Sequence, residues 1–497
     1  MRRLTSHGGC IIILLCSDVR ICAEDQVQTK GTVLKIMKKK LLSMLLAFSM
    51  LVSVFGLQVF ADGETEDPKF AALRANINGL AAVVEAYGDR YNLDTKISYE
   101  DMTLMMSAFY NENPQFSYLS NAYSYYLDGD MVTAIVPRYT VSVAEAEQMK
   151  RAISDWVTGV VDGIPEGADD LERAVYLHDY IIENFDYDTT YEHRTLYDFI
   201  TLGVGVCQAY TYAYTMLLNA VGIGVSWASS SEMNHVWNLV KLDGEWYHAD
   251  LTWDDPVNGV VGKVSHSYFL LSDTLMMTSY NHYGWVSPYT CTDEKYDPSY
   301  IRKIASAFNR IGDSVYYFGK EGIYKTEDIS VPGQLFYTYS MRWNVWDSQN
   351  VYTDSYSTLT SVGSKLYFNS STAVMSLDTS DNALETVYTY NGGDGYIYGF
   401  RHSNIHSGKV DLYISKTPDS SEKYVSTQIF STSPSTLRGD ADGDGRVTVG
   451  DAILILKRVA GWSGIVMRDD LADSDGNGSI GVNDAIVVLK IVAGWDI

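Results

Sequence analysis

An acidic loop of twelve residues occurs twice near the end of this chain, and the repeat limits what that region can fold into. The first copy runs from Asp440 to Asp451, and the second copy, 33 residues further along, runs from Asp473 to Asp484. Both copies carry oxygen-bearing side chains at alternate positions, glycine at the sixth position and a carboxylate at the twelfth. Each loop leads into the pattern Asp-Ala-Ile-x-x-Leu-Lys-x-Val-Ala-Gly-Trp, whose apolar spacing predicts a helix.

This spacing predicts that each loop binds one calcium ion, because calcium takes about six to eight oxygen ligands from a flexible loop with a sharp central turn. In the first loop the predicted ligands are Asp440, Asp442, Asp444, Arg446, Thr448 and Asp451. In the second loop they are Asp473, Asp475, Asn477, Ser479 and Asp484. The alternative, an acidic turn that holds no metal, would have to arise twice with matching helices.

Two features separate these loops from an ordinary EF-hand. Aspartate replaces glutamate at the twelfth position, and no helix signal precedes either loop, so each unit is predicted to be a loop followed by one helix. Placed at the chain terminus, the region resembles a dockerin of the type I kind. The resemblance implies two bound calcium ions and one partner, the cohesin module of a scaffoldin, in a cellulosome-like complex on anaerobic plant-degrading bacteria.

The same resemblance assigns the residues that would contact the cohesin. They are Val449, Gly450, Lys457 and Arg458 in the first unit and Val482, Asn483 and Lys490 in the second. Many dockerins carry Ser-Thr where this chain has Val449-Gly450 and Val482-Asn483. The departure leaves open which cohesin is recognised.

A secretory signal is predicted between residues 37 and 61. Met37 and three lysines precede an apolar run from Leu41 to Leu57, and Ala61 offers a cleavage site. Residues 1–36 look like an over-long start in front of this signal. A membrane anchor is the alternative, but the run is short for a bilayer span and acidic residues follow it. We therefore expect a secreted protein, extracellular or in a cell-surface complex, without a membrane span in the mature chain.

Charge and cysteine content exclude several classes of protein. The chain has 37 basic and 62 acidic residues, a formal net charge of −25, and the predicted leader is itself basic. Nucleic acids and anionic membranes are therefore poor partners. Only Cys207 and Cys291 follow the leader, so disulfides cannot form the scaffold of the fold.

The length and the changes in composition predict several folding units. They are an N-terminal α+β region (62–164), a central domain (165–300), a β-rich domain (301–430), a linker (431–437) and the calcium-loop module (438–497). Within the β-rich part a glycine turn followed by an apolar-aromatic strand recurs at Gly312, Gly363 and Gly408. Three such repeats are too few to close a propeller, so an open β-domain is expected.

The chemistry of the central domain depends on Cys207. It follows the tight segment Gly203-Val-Gly205-Val and opens an apolar-aromatic helical run. A cysteine at a helix N-terminus is favoured as the thiolate, which is the nucleophilic form. The alternative is a structural cysteine, buried or bonded to Cys291.

Two strand-like runs, separated by the hairpin turn Asp243-Gly244, supply a base and a carboxylate. If Leu242 pairs with Glu245, alternation puts His235 and Asp250 on one face as diagonal neighbours. His248 is then about 13 Å from His235 along the sheet, at about 3.3 Å per residue, too far to share its site. A thiolate, a base and a carboxylate that orients the base are the groups that acyl transfer through a thioester requires.

The order of these residues resembles the transglutaminase-like superfamily. The motifs that carry the resemblance are Gly-Val-Cys-Gln-Ala-Tyr, Asn-His-Val-Trp-Asn and Trp-Tyr-His-Ala-Asp-Leu-Thr-Trp-Asp, within about residues 165–275. The resemblance implies a papain-like α+β fold in which Cys207 is the nucleophile, His235 the base and Asp250 its orienter, with no catalytic cofactor. The expected fold class is thus multidomain: a papain-like, transglutaminase-like core, a β-rich domain and a small α dockerin.

Two functions remain open. The first is a secreted transglutaminase-like cysteine protease or transamidase, held by its dockerin on a scaffold linked to polysaccharide degradation. The second is a non-catalytic adhesive or structural component of the same complex. Glycoside hydrolysis is disfavoured because Asp254 and Asp255 look like turn residues. His178, on a predicted helix, is interpreted as a packed or surface residue.

Overall fold

The computed structural model describes residues 66–255, 257, 263–339, 343–344, 351–352, 356–391, 395–404, 409–416, 424–429, 438–441, 447–461, 467–493 and 495. Our predictions of the leader, the linker, the Gly408 turn and the ligands Asp442, Asp444 and Arg446 lie outside these residues. Among the described helices, none is both long enough and apolar enough to cross a membrane.

Two helices and a three-stranded antiparallel sheet open the described chain. They are α1 (Pro68–Glu85), β1 (Tyr91–Ile97), α2 (Tyr99–Glu112), β2 (Ser124–Asp128) and β3 (Met131–Val136). Helix α1 begins at Pro68 because the Asp67 side chain accepts the Lys69 N–H and proline needs no acceptor there. Strands β2 and β3 form a hairpin around Asp128-Gly129, and β3 lies at the centre of the sheet.

The helices that follow begin where their capping residues predict. Ser142 and Glu145 form a capping box at the start of α3 (Val143–Asp162), and Asp169 and Glu172 form another at the start of α4 (Asp170–Asn184). The next elements are β4 (Asp186–Tyr187), α5 (Leu196–Leu202), β5 (Val204–Gly205) and α6 (Cys207–Ala220). Helices α3, α4, α5 and α6 share one apolar core with the central sheet.

The central sheet is antiparallel, with strand order β10-β6-β7-β8-β9. Its strands and short helices are β6 (Gly224–Ser230), β7 (His235–Leu242), β8 (Glu245–Ala249), α7 (Leu251–Asp254), β9 (Phe269–Leu271), α8 (Asp273–Ser279) and β10 (Trp285–Val286). Asp243 and Gly244 both have positive φ, as a two-residue turn between twisted strands requires. Leu242 pairs with Glu245 and Leu239 with His248, so the predicted register is confirmed.

A short 3₁₀ turn (Ile301–Lys303) leads into a series of antiparallel sheets. Their strands are β11 (Asn309–Ile311), β12 (Ser314–Gly319), β13 (Gly322–Thr326), β14 (Gln334–Thr338), β15 (Trp343–Asn344), β16 (Val351–Tyr352), β17 (Leu359–Val362), β18 (Lys365–Asn369), β19 (Ala373–Asp378), β20 (Leu384–Thr389), β21 (Tyr396–Asn404), β22 (Lys409–Ser415) and β23 (Tyr424–Ile429). Strands β11–β14 and β17–β20 form two four-stranded sheets, each with a positive-φ glycine (Gly312 or Gly363) in its first hairpin. This part of the chain is rich in strands, as expected.

Three helices form the described C-terminal module: α9 (Val449–Val459), α10 (Asp469–Ala472) and α11 (Val482–Val492). Small apolar side chains such as Ala452, Ala472 and Ala485 are buried between them. The expectation that no helix precedes either loop is wrong for the second loop, because α10 ends directly before Asp473. Its four residues are a single turn with two acidic side chains at the N-terminus, too short to give a periodic signal in the sequence.

Candidate functional site

Cys207 is the first residue of α6. The segment just before it is held in place by the pairing of two short strands, β4 and β5. Strand β5 runs parallel to β4, with Gly205 opposite Tyr187. A side chain at Gly205 would lie 2.6 Å from carbons of both Phe199 and Ala209, so only glycine allows this close approach. Cys207 itself is a free, partly exposed thiol.

His235 and Asp250 meet at the end of the β7–β8 hairpin. His235 is the first residue of β7, and Asp250 follows β8 as the N-cap of α7, where its Oδ1 accepts the Trp253 N–H at 3.2 Å. His235 Nε2 lies 2.6 Å from Asp250 Oδ2. The Asp250 side chain is fully buried and the His235 side chain is 7% exposed. Because Nε2 faces Asp250, the second ring nitrogen of His235 is left for Cys207.

The electrostatics of this pair favour the charged forms. Burial lowers the pKa of His235, but Asp250 and a hydrogen bond with Cys207 together raise that pKa to about 10. Burial raises the pKa of Asp250, but the facing His235 and His282 lower that pKa to about 2. Near neutral pH the ring of His235 is therefore an imidazolium between a carboxylate and a thiol.

His282 is a residue of this site that the sequence analysis missed. Its Nε2 lies 2.9 Å from Asp250 Oδ2, and its Nδ1 lies 2.9 Å from the carbonyl oxygen of Tyr280. The buried ring packs edge-on against Trp237. It follows α8 in a connecting loop, where no periodic pattern points to it.

A cleft of about 590 Å³ opens onto the thiol. Its lining includes Cys207 and His235, together with Tyr187, Tyr191, Met233, Asn234, Thr252, Trp253, Asp255, Val257 and Tyr268. Tyr187, Tyr191, Trp253 and Tyr268 contribute four aromatic rings to this lining, so the cleft offers apolar surface near the nucleophile. Such a cleft accommodates an extended chain or a long side chain.

Asp254 and Asp255 were expected to be turn residues, and this expectation is wrong for Asp254, whereas Asp255 lies in the bend that follows α7. Asp254 is the last residue of α7 and fully buried, with Oδ2 3.2 Å from His178 Nε2. Asp255 lines the cleft and accepts a hydrogen bond from Tyr210. Burial raises the pKa of Asp255 to about 7, although the bond from Tyr210 lowers it. Contacts with residues far away in the sequence decide the positions of both carboxyls.

His178 belongs to a second buried network, consistent with its interpretation as a packed residue. His178 Nδ1 lies 2.9 Å from Asp179 Oδ1, an oxygen that also lies 2.7 Å from His266 Nε2. Asp179 Oδ2 accepts the Phe308 N–H at 2.8 Å. Burial lowers the pKa of His178, but Asp179 and Asp254 raise it to about 9. The network ties α4 to the segment that leads into the β-rich part of the chain.

His248 takes part in a third network. The Trp237 indole N–H donates to His248 Nδ1 at 2.9 Å, so the ring proton resides on Nε2, which lies 2.8 Å from Asp273 Oδ1. The Cys291 N–H donates to the other oxygen of Asp273. Neither Cys207 nor Cys291 forms a disulfide in this structure, so the predicted alternative of a bond between them is excluded here. Cys291 is buried in the apolar cluster that includes Trp237.

The second predicted calcium loop brings its acidic side chains together. Carboxylate oxygens of Asp473, Asp475 and Asp484 lie within 4.8 Å of one another. Gly478 has a φ of 83° and donates its N–H to Asp473 Oδ2 at 2.8 Å. The oxygens of Asn477 and Ser479 lie in the same turn, 2.5 Å apart. This donor set, oxygen only and rich in carboxylate, is the kind that a hard divalent cation requires.

In the first loop only part of the predicted ligand set is described. Asp440 and Asp451 are buried, and Thr448 caps α9, where Asp451 Oδ2 accepts the Thr448 N–H at 2.8 Å. The two loops therefore share a carboxylate at the twelfth position that also fixes the start of the following helix. Gly481 plays the part of Thr448 in the second loop and donates its N–H to Asp484.

The predicted cohesin contacts differ in exposure. Val449 is 44% and Val482 52% exposed, and each stands at the start of its helix. Lys457 lies 2.9 Å from Asp155 of α3. The structure thus leaves the two valines open to solvent, whereas Lys457 has an ion-pair partner within the chain.

Comparisons with known proteins bear on the central part of the chain. No curated protein matches it significantly. One solved structure similar to it is a "putative cysteine protease" from Cytophaga hutchinsonii, with 16% identity and a TM-score of 0.18 over 24% of this chain and 51% of that chain. Another is described as a TGase, with 11% identity and a TM-score of 0.19 over 33% of this chain and 50% of that chain. The chain thus spans about half the length of each of these proteins.

The family comparison gives the residues that carry the fold of the site. The matching family model is described as the transglutaminase-like superfamily, and its match covers residues 147–251. That range begins within α3, contains Cys207 and His235, and ends one residue beyond Asp250. Residues 147–251 therefore form a transglutaminase-like domain.

Proposed function

We propose that this chain is a secreted thiol enzyme that transfers acyl groups, opening a peptide bond or a glutamine amide through a thioester on Cys207. The observation that carries the proposal is the 2.6 Å contact between His235 Nε2 and Asp250 Oδ2, beside a thiol in the same cleft. A thiol at a helix N-terminus next to a cationic imidazole is activated as a nucleophile. The buried carboxylate keeps the imidazole charged and oriented.

The first half of the reaction forms the thioester. The Cys207 thiolate adds to the carbonyl carbon of the substrate, and the π electrons of the C=O bond move to oxygen. When this intermediate collapses, the C–N bond breaks and the leaving nitrogen takes the proton of His235. The amine departs, and the acyl group remains on the Cys207 sulfur while His235 is left neutral beside Asp250.

The second half releases the acyl group. Water or an amine attacks the thioester, and His235 takes a proton from this nucleophile. The C–S bond breaks, the thiolate returns, and the product is an acid or a new amide. Hydrolysis and transamidation share every residue of this cycle and differ only in the second nucleophile.

Alkylation of the thiols tests the enzymatic proposal. The full chain is treated with iodoacetamide before and after denaturation, and the modified peptides are identified by mass spectrometry. Cys207 should react in the native protein, whereas the buried Cys291 should react only after denaturation. His235→Ala should slow alkylation of Cys207 at neutral pH, because the cationic imidazole that activates the sulfur as a nucleophile is lost. A native Cys207 no more reactive than Cys291 would instead favour an adhesive or structural protein.

The second part of the proposal is that residues 438–497 are a dockerin that attaches the enzyme to a cohesin-bearing scaffold in a cellulosome-like complex. The donor set of the second loop fits calcium, with Asp473, Asp475, Asn477, Ser479 and Asp484 as ligands. Bound calcium would neutralise carboxylates that otherwise repel one another. Val449 and Val482 offer exposed apolar side chains for a partner. In such a complex the enzyme would work beside polysaccharide-degrading enzymes.

Binding to recombinant type I cohesins tests the attachment. The full chain should bind at least one cohesin in calcium and release it in EGTA. A chain ending before residue 438 should lose this binding and keep native alkylation of Cys207. Val449→Asp combined with Val482→Asp should abolish cohesin binding without loss of calcium binding. Calcium-independent binding, or no cohesin binding with calcium bound, would contradict this part of the proposal.

A further inference from the structure

We propose that Tyr187 is a further catalytic residue, whose hydroxyl donates a hydrogen bond to the oxyanion that forms when Cys207 attacks the substrate carbonyl. The inference deepens the proposed acyl transfer and rests on it. It assigns the electrostatic stabilisation of the tetrahedral intermediate, which the thiol, the imidazole and the carboxylate do not supply. Stabilisation of this kind is commonly among the largest contributions to acyl-transfer catalysis.

The fold holds Tyr187 next to the nucleophile. Tyr187 is the second residue of β4 and pairs with Gly205 of β5, two residues before Cys207. The Asp188 N–H donates to the Gly205 carbonyl at 2.9 Å, so the backbone is fixed on both sides of the tyrosine. The side chain lines the cleft together with Cys207 and His235. Tyr187 is therefore attached to the segment that positions the thiol, and it faces the space where the substrate carbonyl would lie.

The hydroxyl of Tyr187 is available as a donor. Among the described residues, none shares a hydrogen bond with this hydroxyl, whereas the neighbouring hydroxyls of Tyr210 and Tyr212 are bonded to Asp255 and Gln208. Burial and the negative charge of Cys207 raise the pKa of Tyr187 to about 12. At neutral pH the Tyr187 hydroxyl therefore keeps its proton. This half-buried hydroxyl can donate a hydrogen bond to an oxygen of a substrate in the cleft.

The start of α6 supplies a second donor next to the thiol. The N–H groups of the first helical turn have no acceptor within the helix, and that of Cys207 belongs to this turn. An oxygen on the carbon attached to the Cys207 sulfur can reach the backbone N–H of Cys207, and Tyr187 lines the same cleft. As the thiolate adds, the C=O π electrons move to oxygen and both donors strengthen their hydrogen bonds. Neither donor gives up its proton, and collapse of the intermediate re-forms the C=O bond.

Two reagents separate this role from activation of the thiol. p-Nitrophenyl acetate acylates a cysteine through a tetrahedral oxyanion, whereas iodoacetamide alkylates it by direct displacement, in which no oxyanion forms. Tyr187→Phe keeps the ring and removes only the hydroxyl. It should slow acylation of Cys207 by about 10²-fold to 10³-fold, the range found when one oxyanion donor is removed, and leave the rate and pH profile of alkylation unchanged. Acylation is followed by p-nitrophenolate release and by the mass of the Cys207 peptide.

Tyr99→Phe is the control for the loss of a tyrosine hydroxyl. Tyr99 is the first residue of α2, is 59% exposed and lies outside the residues that line the cleft. Both rates should be as in the parent protein. Equal acylation by the parent and Tyr187→Phe would overturn the inference, as would an equal fall of both rates, which would mean that Tyr187 acts on the thiol. A parent protein that is alkylated at Cys207 but never acylated would overturn the proposed function itself.

Discussion

His282 Nε2 lies 2.9 Å from Asp250 Oδ2, the oxygen that also lies 2.6 Å from His235 Nε2. One carboxylate oxygen thus joins two imidazoles, and only one of them reaches the cleft. The His282 ring is held in turn by the carbonyl of Tyr280 and by Trp237. The Asp250 carboxylate is therefore held by two imidazoles, and its position does not depend on His235 alone. In the proposed mechanism His282 is thus a positioning residue behind the carboxylate, a fourth member beside Cys207, His235 and Asp250.

Replacing Asp250 tests the carboxylate. Asp250→Asn keeps the shape of the side chain but removes the charge that stabilises the His235 imidazolium. Turnover of p-nitrophenyl acetate should fall by about 10³-fold to 10⁴-fold, as in other triads that lose their carboxylate. Steady-state kinetics on the full chain give the value, and circular dichroism shows whether the fold is kept.

His248→Asn is the control for that experiment. His248 bonds to Trp237 and Asp273 and faces away from the cleft, so its replacement should reduce stability more than turnover. His235→Ala should cost at least as much turnover as Asp250→Asn. An inactive His248→Asn beside an active His235→Ala would mean that the wrong imidazole has been assigned as the base.

Replacing His282 tests the positioning role. His282→Phe keeps a ring among the surrounding aromatics and removes one hydrogen bond to a charged group, which is worth about 1.5–3 kcal/mol. If this contact holds the carboxylate in place, turnover should fall by about tenfold to a hundredfold. His282→Gln, which can still donate to Asp250, should restore part of the loss. A purely structural role would instead appear as a lower unfolding midpoint in both variants, with kcat unchanged in the fraction that remains folded.

The raised pKa of His235 predicts the alkaline limb of the pH profile. In the proposed mechanism the imidazolium supplies the proton for the leaving group, so activity requires the protonated ring. The value of kcat/KM, which reports the free enzyme, should therefore fall as the pH rises through about 10. Because Asp250 raises this pKa, Asp250→Asn should move the limb to lower pH. If Asp250→Asn did not shift the alkaline limb of the kcat/KM profile, a group other than His235 would control that limb.

The sequence predicted the contact between His235 and Asp250 because a local rule determines it. A two-residue turn with positive φ at Asp243 and Gly244 fixes the strand register, and a period of two then places His235 beside Asp250. The capping boxes of α3 and α4 were predictable for the same reason, since each depends on two residues three positions apart. In each case the contact lies within one turn or one hairpin.

The residues that escaped prediction depend on contacts between distant segments. His282 reaches Asp250 from a loop 32 residues later. Asp254 looked like a turn residue, yet it bonds to His178, 76 residues away. Tyr187 belongs to a strand of two residues, too short to give a periodic pattern. Tertiary packing determines the positions of these residues, and no local sequence pattern predicts them.

The buried network around His178 predicts a dependence of stability on pH. The pKa of His178 is raised to about 9 in the folded chain, above the value of about 6.5 in an unfolded one. A group of this kind contributes stability that is complete below about pH 6.5 and is lost as the pH rises through about 9. The urea midpoint of the full chain should therefore be lower at pH 9.5 than at pH 6. His178→Gln should destabilise the chain at pH 6 and reduce the fall of the urea midpoint between pH 6 and pH 9.5. An equal fall in the parent and the variant would show that His178 does not cause the pH dependence.

Calcium should stabilise the C-terminal module through its acidic loops. In the second loop, carboxylate oxygens of Asp473, Asp475 and Asp484 lie within 4.8 Å and repel one another until a cation bridges them. At a calcium concentration of about 100 times the dissociation constant, binding should add about 2.7 kcal/mol to the stability of the module for each site. Calorimetric titration of the full chain should give two ions per chain, and circular dichroism should show helix loss in EGTA.

Asp475→Asn separates the two sites. The substitution keeps an oxygen that can accept the Asn477 N–H, as Asp475 Oδ1 does at 3.0 Å, and removes one charge from the second loop only. Titration should then show one ion bound as in the parent chain and one bound more weakly. Asp470→Asn is the matched control, because Asp470 is an exposed acid of α10 outside the loop, paired with Arg468, and its loss should leave both affinities unchanged. Two outcomes would contradict specific calcium binding: a helix content that EGTA does not change, or an equal loss of calcium affinity in Asp475→Asn and Asp470→Asn. Either would show that the acidic residues of this module do not form specific calcium sites.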